Sequence, residues 1–413
     1  MRHPELLIPA SSLEVLRTAV IFGADAVYIG GEAFGLRAKA KNFSMEEMAQ
    51  GIRFAHEHGV KVYVTANILA HNSDLDGVRA YFEELRGMDP QPDALIIADP
   101  GVFMIAKEVC PEIERHISTQ ANNTNLATYR FWWELGAKRV VSARELSLAE
   151  IREIRDSIPA DMEIESFVHG AMCISYSGRC LLSNYFTGRD ANRGACTHPC
   201  RWKYAVVEET RPGEYMPVEE NERGTYIFNS RDLCMIEHIP DLIAAGIDSL
   251  KVEGRMKTAL YVATVARTYR KALDDYQRDP GQYQEHMEWY RDQISNCTYR
   301  QFTTGFFYGK PNEESQIYDS NTYVKEYTYL GTVGETREDG FCCIEQRNKF
   351  SVGEKIEIMK PDGRDLLVQV AAICDEEGNA MESAPHPKQK LWVDLQGQAQ
   401  RYDILRRQEP KSH

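Results

Sequence analysis

Over its first ~270 residues the chain repeats one pattern: a short apolar run, an amphipathic stretch, then a glycine before the next run. The runs lie at Leu6–Pro9, Ala26–Ile29, Val60–Ala66, Ala94–Ala98, His116–Gln120, Arg139–Ser142, Met162–Val168 and Ser249–Val252. Helices are predicted between them. Ser11/Glu14, Ser44/Glu47 and Ser147/Glu150 have the spacing of capping boxes, in which a hydroxyl and a carboxylate satisfy free helix amides. Gly23, Gly59, Gly136 and Gly246 each precede a run, as helix-ending glycines do. Eight strands alternating with helices predict an α/β fold, a (β/α)8 TIM-like barrel. A doubly wound sheet is the alternative, but no G-x-G-x-x-G follows the first run.

Beyond Lys257 a helical pattern runs through Tyr261–Arg270, and a second covers Gln282–Ser295. From Tyr323 the period changes to that of short strands at Tyr327–Val333, Phe341–Glu345, Lys355–Met359, Leu366–Ala372 and Lys390–Val393. Turn signals at Glu338-Asp-Gly340, Pro361-Asp-Gly363 and Glu376-Glu-Gly378 separate them. The expected organisation is a catalytic barrel over 1–275 with an insertion at 169–245, a helical or linker segment over 276–321, and a small C-terminal all-β barrel over 322–408. Cys342, Cys343 and Cys374 read as core residues of that last domain.

Composition narrows the class. The 413 residues suit about two domains, and 43% hydrophobic with 27% charged residues is ordinary for a globular protein. No apolar run of about 18 residues is present, so no membrane span is expected. Met1-Arg-His-Pro does not begin a secretory signal, and a cytoplasmic location is expected. The net charge of −14 argues against nucleic-acid binding by overall field, though not against a local basic mouth.

The barrel reading adds chemistry at one end, because catalytic groups sit at the carboxyl ends of such strands. The polar residues expected there are Arg37, Lys39, Asn67, Asp99, Gln120, Asn122, Asn123, Arg144, Glu145, His169, Glu253, Arg255 and Lys257. Arg37, Arg144 and Arg255 would converge on one rim, where guanidinium forks bind carboxylate or phosphate. Asn67, Gln120 and Asn122 join them as candidate substrate-binding residues. His169 and Glu253 are the candidate catalytic groups; packing under the site and ion pairing with Arg255 are their structural alternatives.

Cysteines concentrate in the same region. Ten occur in the chain, and Cys173, Cys180, Cys196 and Cys200 fall within 28 residues. Four thiolates gathered at one point hold zinc or an iron–sulfur cluster. Cys196 and Cys200 fit a zinc knuckle, but Cys173 and Cys180 lie further apart, and the spacing favours a [4Fe–4S] cluster over zinc.

The segment Glu165-Ser-Phe-Val-His-Gly170-Ala-Met-Cys173-Ile-Ser-Tyr-Ser-Gly178-Arg-Cys180-Leu-Leu-Ser183 resembles the signature of peptidase family U-32, the collagenase-like peptidases. The likeness continues through Arg193-Gly-Ala-Cys196, Cys200-Arg-Trp-Lys203, Phe228-Asn-Ser-Arg-Asp-Leu233, Ser249-Leu-Lys-Val-Glu253-Gly-Arg255 and Phe302-Thr-Thr-Gly-Phe-Phe-Tyr-Gly309. The long form with a small C-terminal domain is similar to the tRNA-hydroxylation proteins of that family. The resemblance implies formation of 5-hydroxyuridine at the wobble position of tRNA, with prephenate as a small anionic co-substrate and hydroxyl donor. It also implies a cluster on Cys173, Cys180, Cys196 and Cys200, with Cys234 as an alternative fourth ligand. A homo-oligomer, or a hetero-oligomer with a related protein, is left open.

The family name requires a hydrolase to be weighed as the alternative function. Neither a G-x-S-x-G elbow nor an H-E-x-x-H helix is present. His56-Glu57-His58 does not place two imidazoles on one helical face.

Overall fold

The computed structural model describes residues 3–32, 34, 42–171, 182–187, 189, 197, 219–221, 224–226, 231–297, 302–309 and 327–409. They fall into two compact units. One gathers the described residues of Met1–Leu16, Asp25–Met256 and Arg300–Thr322; the other gathers those of Arg17–Ala24, Lys257–Tyr299 and Tyr323–His413.

The first unit is built on eight parallel strands: β1 (Glu5–Pro9), β2 (Ala26–Gly30), β3 (Lys61–Ala66), β4 (Ala94–Ile97), β5 (Glu114–Ile117), β6 (Arg139–Val141), β7 (Glu163–Gly170) and β8 (Ser249–Val252). Each pairs with the next, and β8 pairs with both β7 and β1, which closes the barrel. Helices α1 (Leu13–Ile21), α2 (Met45–Glu57), α3 (Leu75–Arg86), α4 (Pro100–Val109), α5 (Leu126–Leu135) and α6 (Leu148–Ser157) connect the first seven strands. Among the described residues no helix is long and apolar enough to cross a membrane.

Local chemistry explains most element ends. Ser44 and Ser147 form the expected capping boxes with Glu47 and Glu150. At α1 the cap is one residue later than expected: the Ser12 hydroxyl, not that of Ser11, accepts the Val15 amide at 3.4 Å. The fifth strand also departs from expectation. It ends at Ile117, because the Ser118 hydroxyl accepts the Gln120 amide and turns Thr119–Ala121 into a 3-10 helix.

The barrel interior is polar on one side. Leu7, Ala26, Tyr28, Tyr63, Ala94 and Ile96 form an apolar cluster. Beside it Arg139 of β6 bonds Glu5 of β1 at 2.6 Å, Glu165 of β7 at 3.2 Å and Glu163 of β7 at 2.7 Å. Glu5 also accepts from the Tyr63 hydroxyl at 2.6 Å and the Ser249 hydroxyl at 2.8 Å. Glu165 takes its second cation from β8, where the Lys251 ammonium donates at 2.6 Å. His116 of β5 packs edge-on against Tyr63 with ring centres 4.7 Å apart. Burial, followed by the charge of Arg139, holds this imidazole well below the usual histidine range, so it is neutral.

In the second unit α7 (Ala259–Arg278), α8 (Pro280–Glu285) and α9 (Met287–Ser295) accompany an antiparallel half-barrel. Its main strands are β9 (Tyr327–Thr336), β10 (Phe341–Glu345), β11 (Lys355–Met359), β12 (Asp365–Gln369), β13 (Ala372–Cys374), β14 (Lys390–Asp394) and β15 (Ile404–Gln408). The helix expected over Gln282–Ser295 is two helices that meet at His286, whose imidazole bonds the buried Asp275 carboxylate at 2.8 Å. The run Leu366–Ala372 is divided between β12 and β13, and β15 had no counterpart in the sequence reading. Cys342 is core, but Cys343 and Cys374 lie half-buried on either side of Trp392, which corrects their assignment as core residues.

The ion network makes a stability prediction. Burial pushes the Glu5 carboxyl up, but the charge and hydrogen bonds of Arg139, with those of Tyr63 and Ser249, bring it down to about 2. A carboxyl lowered on folding stabilises the protein above its unfolded value near 4.5, and that contribution disappears as the pH falls towards 2. Arg139→Met leaves Glu5 and Glu165 short of a partner and is expected to cost about 3–5 kcal/mol. Urea unfolding at pH 7 and at pH 4 tests this, with the wild type losing stability at the lower pH.

Candidate functional site

A cleft opens at the carboxyl end of the barrel, with a volume of about 570 Å³ including its solvent-open mouth. Its walls are Tyr28, Thr65, Asn67, Ile96, Ser118, Thr119, Gln120, Arg144, Phe167, Lys251, Glu253 and Arg255. These residues come from β2, β3, β4, β7, β8 and the segments that follow β3, β5, β6 and β8. Strand alternation explains the choice. Tyr28, Thr65, Ile96, Phe167 and Lys251 sit two residues further along their strands than Ala26, Tyr63, Ala94, Glu165 and Ser249, so they form the next interior layer towards the mouth.

Three cations and one carboxylate set the charge of the cleft. Arg255 is 6% exposed, and its Nη1 donates to the Thr65 hydroxyl at 2.9 Å. It can lie across β2 because Gly30 has no side chain there; a Cβ at Gly30 would meet Arg255 Nη1 at 2.5 Å. Arg144 stacks on the Phe167 ring with its Cζ 4.0 Å from the ring centre, and its Nη1 donates to the Ala171 carbonyl at 3.1 Å. Its Nε is buried with no hydrogen-bond partner among the described residues. Arg144 lines the cleft, and a guanidinium there suits an anionic ligand. Lys251 forms the floor, with Nζ 4.5 Å from the centre of the Tyr28 ring. The Tyr28 hydroxyl is itself used on the Val252 carbonyl at 2.9 Å.

A backbone irregularity shapes the edge from which the cysteine segment leaves. Phe167 pairs with Lys251, but the next β8 residue, Val252, pairs with His169, so Val168 is an extra residue in β7. Such a bulge re-aims the strand that carries it. The Glu253 amide then donates to the His169 carbonyl at 2.8 Å, and Gly170 turns with φ +107. Asp232–Cys234 runs antiparallel to this end, with Cys234 opposite His169.

Of the residues predicted for the site, Asn67, Gln120, Arg144, Glu253 and Arg255 share the one cleft. Arg37, and with it Lys39, lies outside the described residues, as do Cys173, Cys180, Cys196 and Cys200. Asn122 does not line the cleft; it caps the 3-10 helix in a left-handed conformation with φ 55. Asn123 is buried and bonds the Ser118 and Val141 carbonyls and the Trp132 indole. Asp99 caps α4. His169 is 2% exposed, absent from the cleft wall, and packed 5.9 Å from the Phe302 ring. Lys257 belongs to the second unit.

The sequence reading missed Lys251, Phe167, Tyr28 and Glu165. The signal was present in Ser249-Leu-Lys-Val-Glu253: a lysine inside a barrel strand must be paired or face a site.

The donor set limits where a metal can go. Among the described residues no three His, Cys, Asp or Glu side chains are gathered as metal ligands. Burial pushes the Cys110 and Cys297 thiols up to about 11 and about 12, which leaves them protonated.

Residues 11–317 match the family described as Peptidase family U32, and residues 325–406 match the Peptidase family U32 C-terminal domain. The chain is 43% identical over 389 residues to tRNA hydroxylation protein P1 of Bacillus subtilis, covering 94% of this chain and 91% of that protein. It is 38% identical over 436 residues to tRNA hydroxylation protein P of Escherichia coli, covering 96% and 94%. The 23S rRNA 5-hydroxycytidine C2501 synthase of Escherichia coli is 37% identical over 270 residues, 65% of this chain and 39% of that protein.

The turn at Gly170 is testable. A Cβ there would lie 2.6 Å from the Glu253 carbonyl oxygen, in a backbone region that side chains rarely adopt. Gly170→Ala is expected to destabilise the protein by roughly 2 kcal/mol or more, because backbone and not a flexible side chain must move. Denaturant unfolding measures the loss, and a change below about 0.5 kcal/mol would contradict the assigned conformation.

Proposed function

The chain belongs to peptidase family U32, and we propose that it hydroxylates tRNA, forming 5-hydroxyuridine at the wobble position with prephenate as the hydroxyl donor. The observation that carries the reading is the near-full-length match to relatives named tRNA hydroxylation proteins, both above 35% identity. The cleft supports it, since two guanidinium groups face a space suited to a small organic anion.

Each group in the cleft has a task in this reading. Arg144, stacked on Phe167, and Arg255, fixed by Thr65, bind the carboxylates of the donor and set its orientation. Asn67 and Gln120 offer amide donors and acceptors for its hydroxyl. The Phe167 ring under Arg144 removes water from one side of the guanidinium, which strengthens its hold on an anion. Glu253 is the carboxylate in the same wall, and in this reading it is the group that accepts a proton. A [4Fe–4S] cluster would be held by Cys173, Cys180, Cys196 and Cys200, with Cys234 as the alternative fourth ligand, and would supply redox or Lewis-acid chemistry. The overall charge of −14 requires the RNA to be received locally, at the cationic mouth.

Two measurements test the reading. Protein purified without oxygen should absorb broadly near ~400 nm, and Cys173→Ala, Cys180→Ala or Cys196→Ala should abolish that absorption. Cys200→Ala against Cys234→Ala identifies the fourth ligand, and full iron content in Cys173→Ala contradicts the cluster. In a strain lacking every other hydroxylation route, deleting the gene should remove 5-hydroxyuridine from digested tRNA. An Arg144→Ala copy should restore it at a rate about 10–100-fold lower, the effect of one lost charge-assisted contact. An unchanged nucleoside profile together with cleavage of a protein substrate would return the family's peptidase reading.

A further inference from the structure

We propose that Lys251 is a substrate-binding residue, receiving a carboxylate of the anionic donor at the floor of the cleft, and that Glu165 is the positioning residue that aims it. This inference rests on the reading of the cleft as the donor site.

Four observations carry it. First, the lysine is 4% exposed yet borders the cleft, so its ammonium is removed from bulk water but open to a ligand. Second, of its three N–H donors one is used on oxygen, the bond to Glu165 at 2.6 Å; among the described residues no other hydrogen bond from Nζ exists. Its remaining surroundings are aromatic, with the Tyr28 ring centre at 4.5 Å and that of Phe167 at 5.4 Å. Rings stabilise a cation weakly compared with an oxygen acceptor, so the donors are underused.

Third, the ammonium is held from below by groups that are themselves paired. Glu165 is fully buried, its other oxygen bonds Arg139, and Arg139 is fixed in turn by Glu5 and Glu163. Fourth, the charge beneath the cleft is matched. Glu5, Glu163 and Glu165 face Arg139, Lys251 and Lys138, the last 3.9 Å from Glu163. Burial lowers the Lys251 pKa, and the bonded Glu165 carboxylate opposes that and favours the ammonium. Arg144 and Arg255 hold the ligand from the sides, while Lys251 meets it from beneath.

A lysine that only plugged the barrel would predict something different. Its loss would then change stability and leave affinity for an anion unaltered in the folded protein. The two are separated with full-length, anaerobically prepared wild type and Lys251→Met, each titrated calorimetrically with prephenate and each unfolded in urea. The expected result is a 10–100-fold weaker prephenate affinity in Lys251→Met, the size of one charge-assisted contact. Glu165→Gln, which keeps the shape but loosens the aim, should weaken binding by a smaller factor. Lys251→Arg, which keeps the charge, should recover part of it.

If Lys251→Met does not fold, the double variant Lys251→Met/Glu165→Gln removes both charges together and carries the same expectation. Equal prephenate affinity in wild type and a folded Lys251 variant overturns the inference and leaves the cleft reading intact. A wild type that does not bind prephenate overturns the cleft reading, and the inference with it.

Discussion

The barrel closes around a column of buried charge, and the interior of this protein is arranged to satisfy it. Arg139 is placed where carboxylates from β1 and β7 reach it, and Lys251 where the last free oxygen of Glu165 remains. Burying such groups costs several kcal/mol each unless every one is paired. That requirement fixes register across β1, β6, β7 and β8, because shifting any strand by one residue would point its charge into the helical layer. An apolar filling is the usual solution in barrels of this kind. Here the polar filling links the closed end of the barrel to the floor of the cleft.

The same arrangement explains why the cleft is cationic in a protein of net charge −14. The acidic groups lie one and two layers below the mouth, already paired, and the arginines of the mouth are held by a hydroxyl, a carbonyl and a ring. Neither the Ala171 carbonyl nor the Phe167 ring cancels the positive charge of Arg144. Glu253 is the carboxylate in the cleft wall, and it leads directly to Arg255. A local anion site can therefore exist within a repelling overall field.

Most of the fold was legible because its signals are local. Period-2 and period-3.6 runs placed all eight barrel strands, and the helix-ending glycines carry the positive φ expected of them, from +72 at Gly59 to +105 at Gly23. Serine caps were legible to within a residue, since Ser11 and Ser12 offer the same hydroxyl. The convergence of Asn67, Gln120, Arg144, Glu253 and Arg255 followed from barrel geometry alone. What was not legible depends on contacts distant in sequence. Lys251 and Glu165 are separated by 86 residues, and neither shows its partner in its own neighbourhood. His169 read as a loop residue because the bulge at Val168, which keeps it within β7, leaves no mark in composition.

The chain leaves β7 beside the cleft at Ala171, whose carbonyl Arg144 bonds, and in the proposed reading the donor and the cluster are neighbours. A crystal structure of the protein prepared without oxygen and soaked with prephenate tests that proximity most directly. The account predicts a donor carboxylate within about 3 Å of Arg144, Arg255 or Lys251, the distance of a charge-assisted hydrogen bond. It also predicts an iron-containing cluster bordering the same cleft. Prephenate bound elsewhere on the chain, or a cluster remote from an empty cleft, would contradict it.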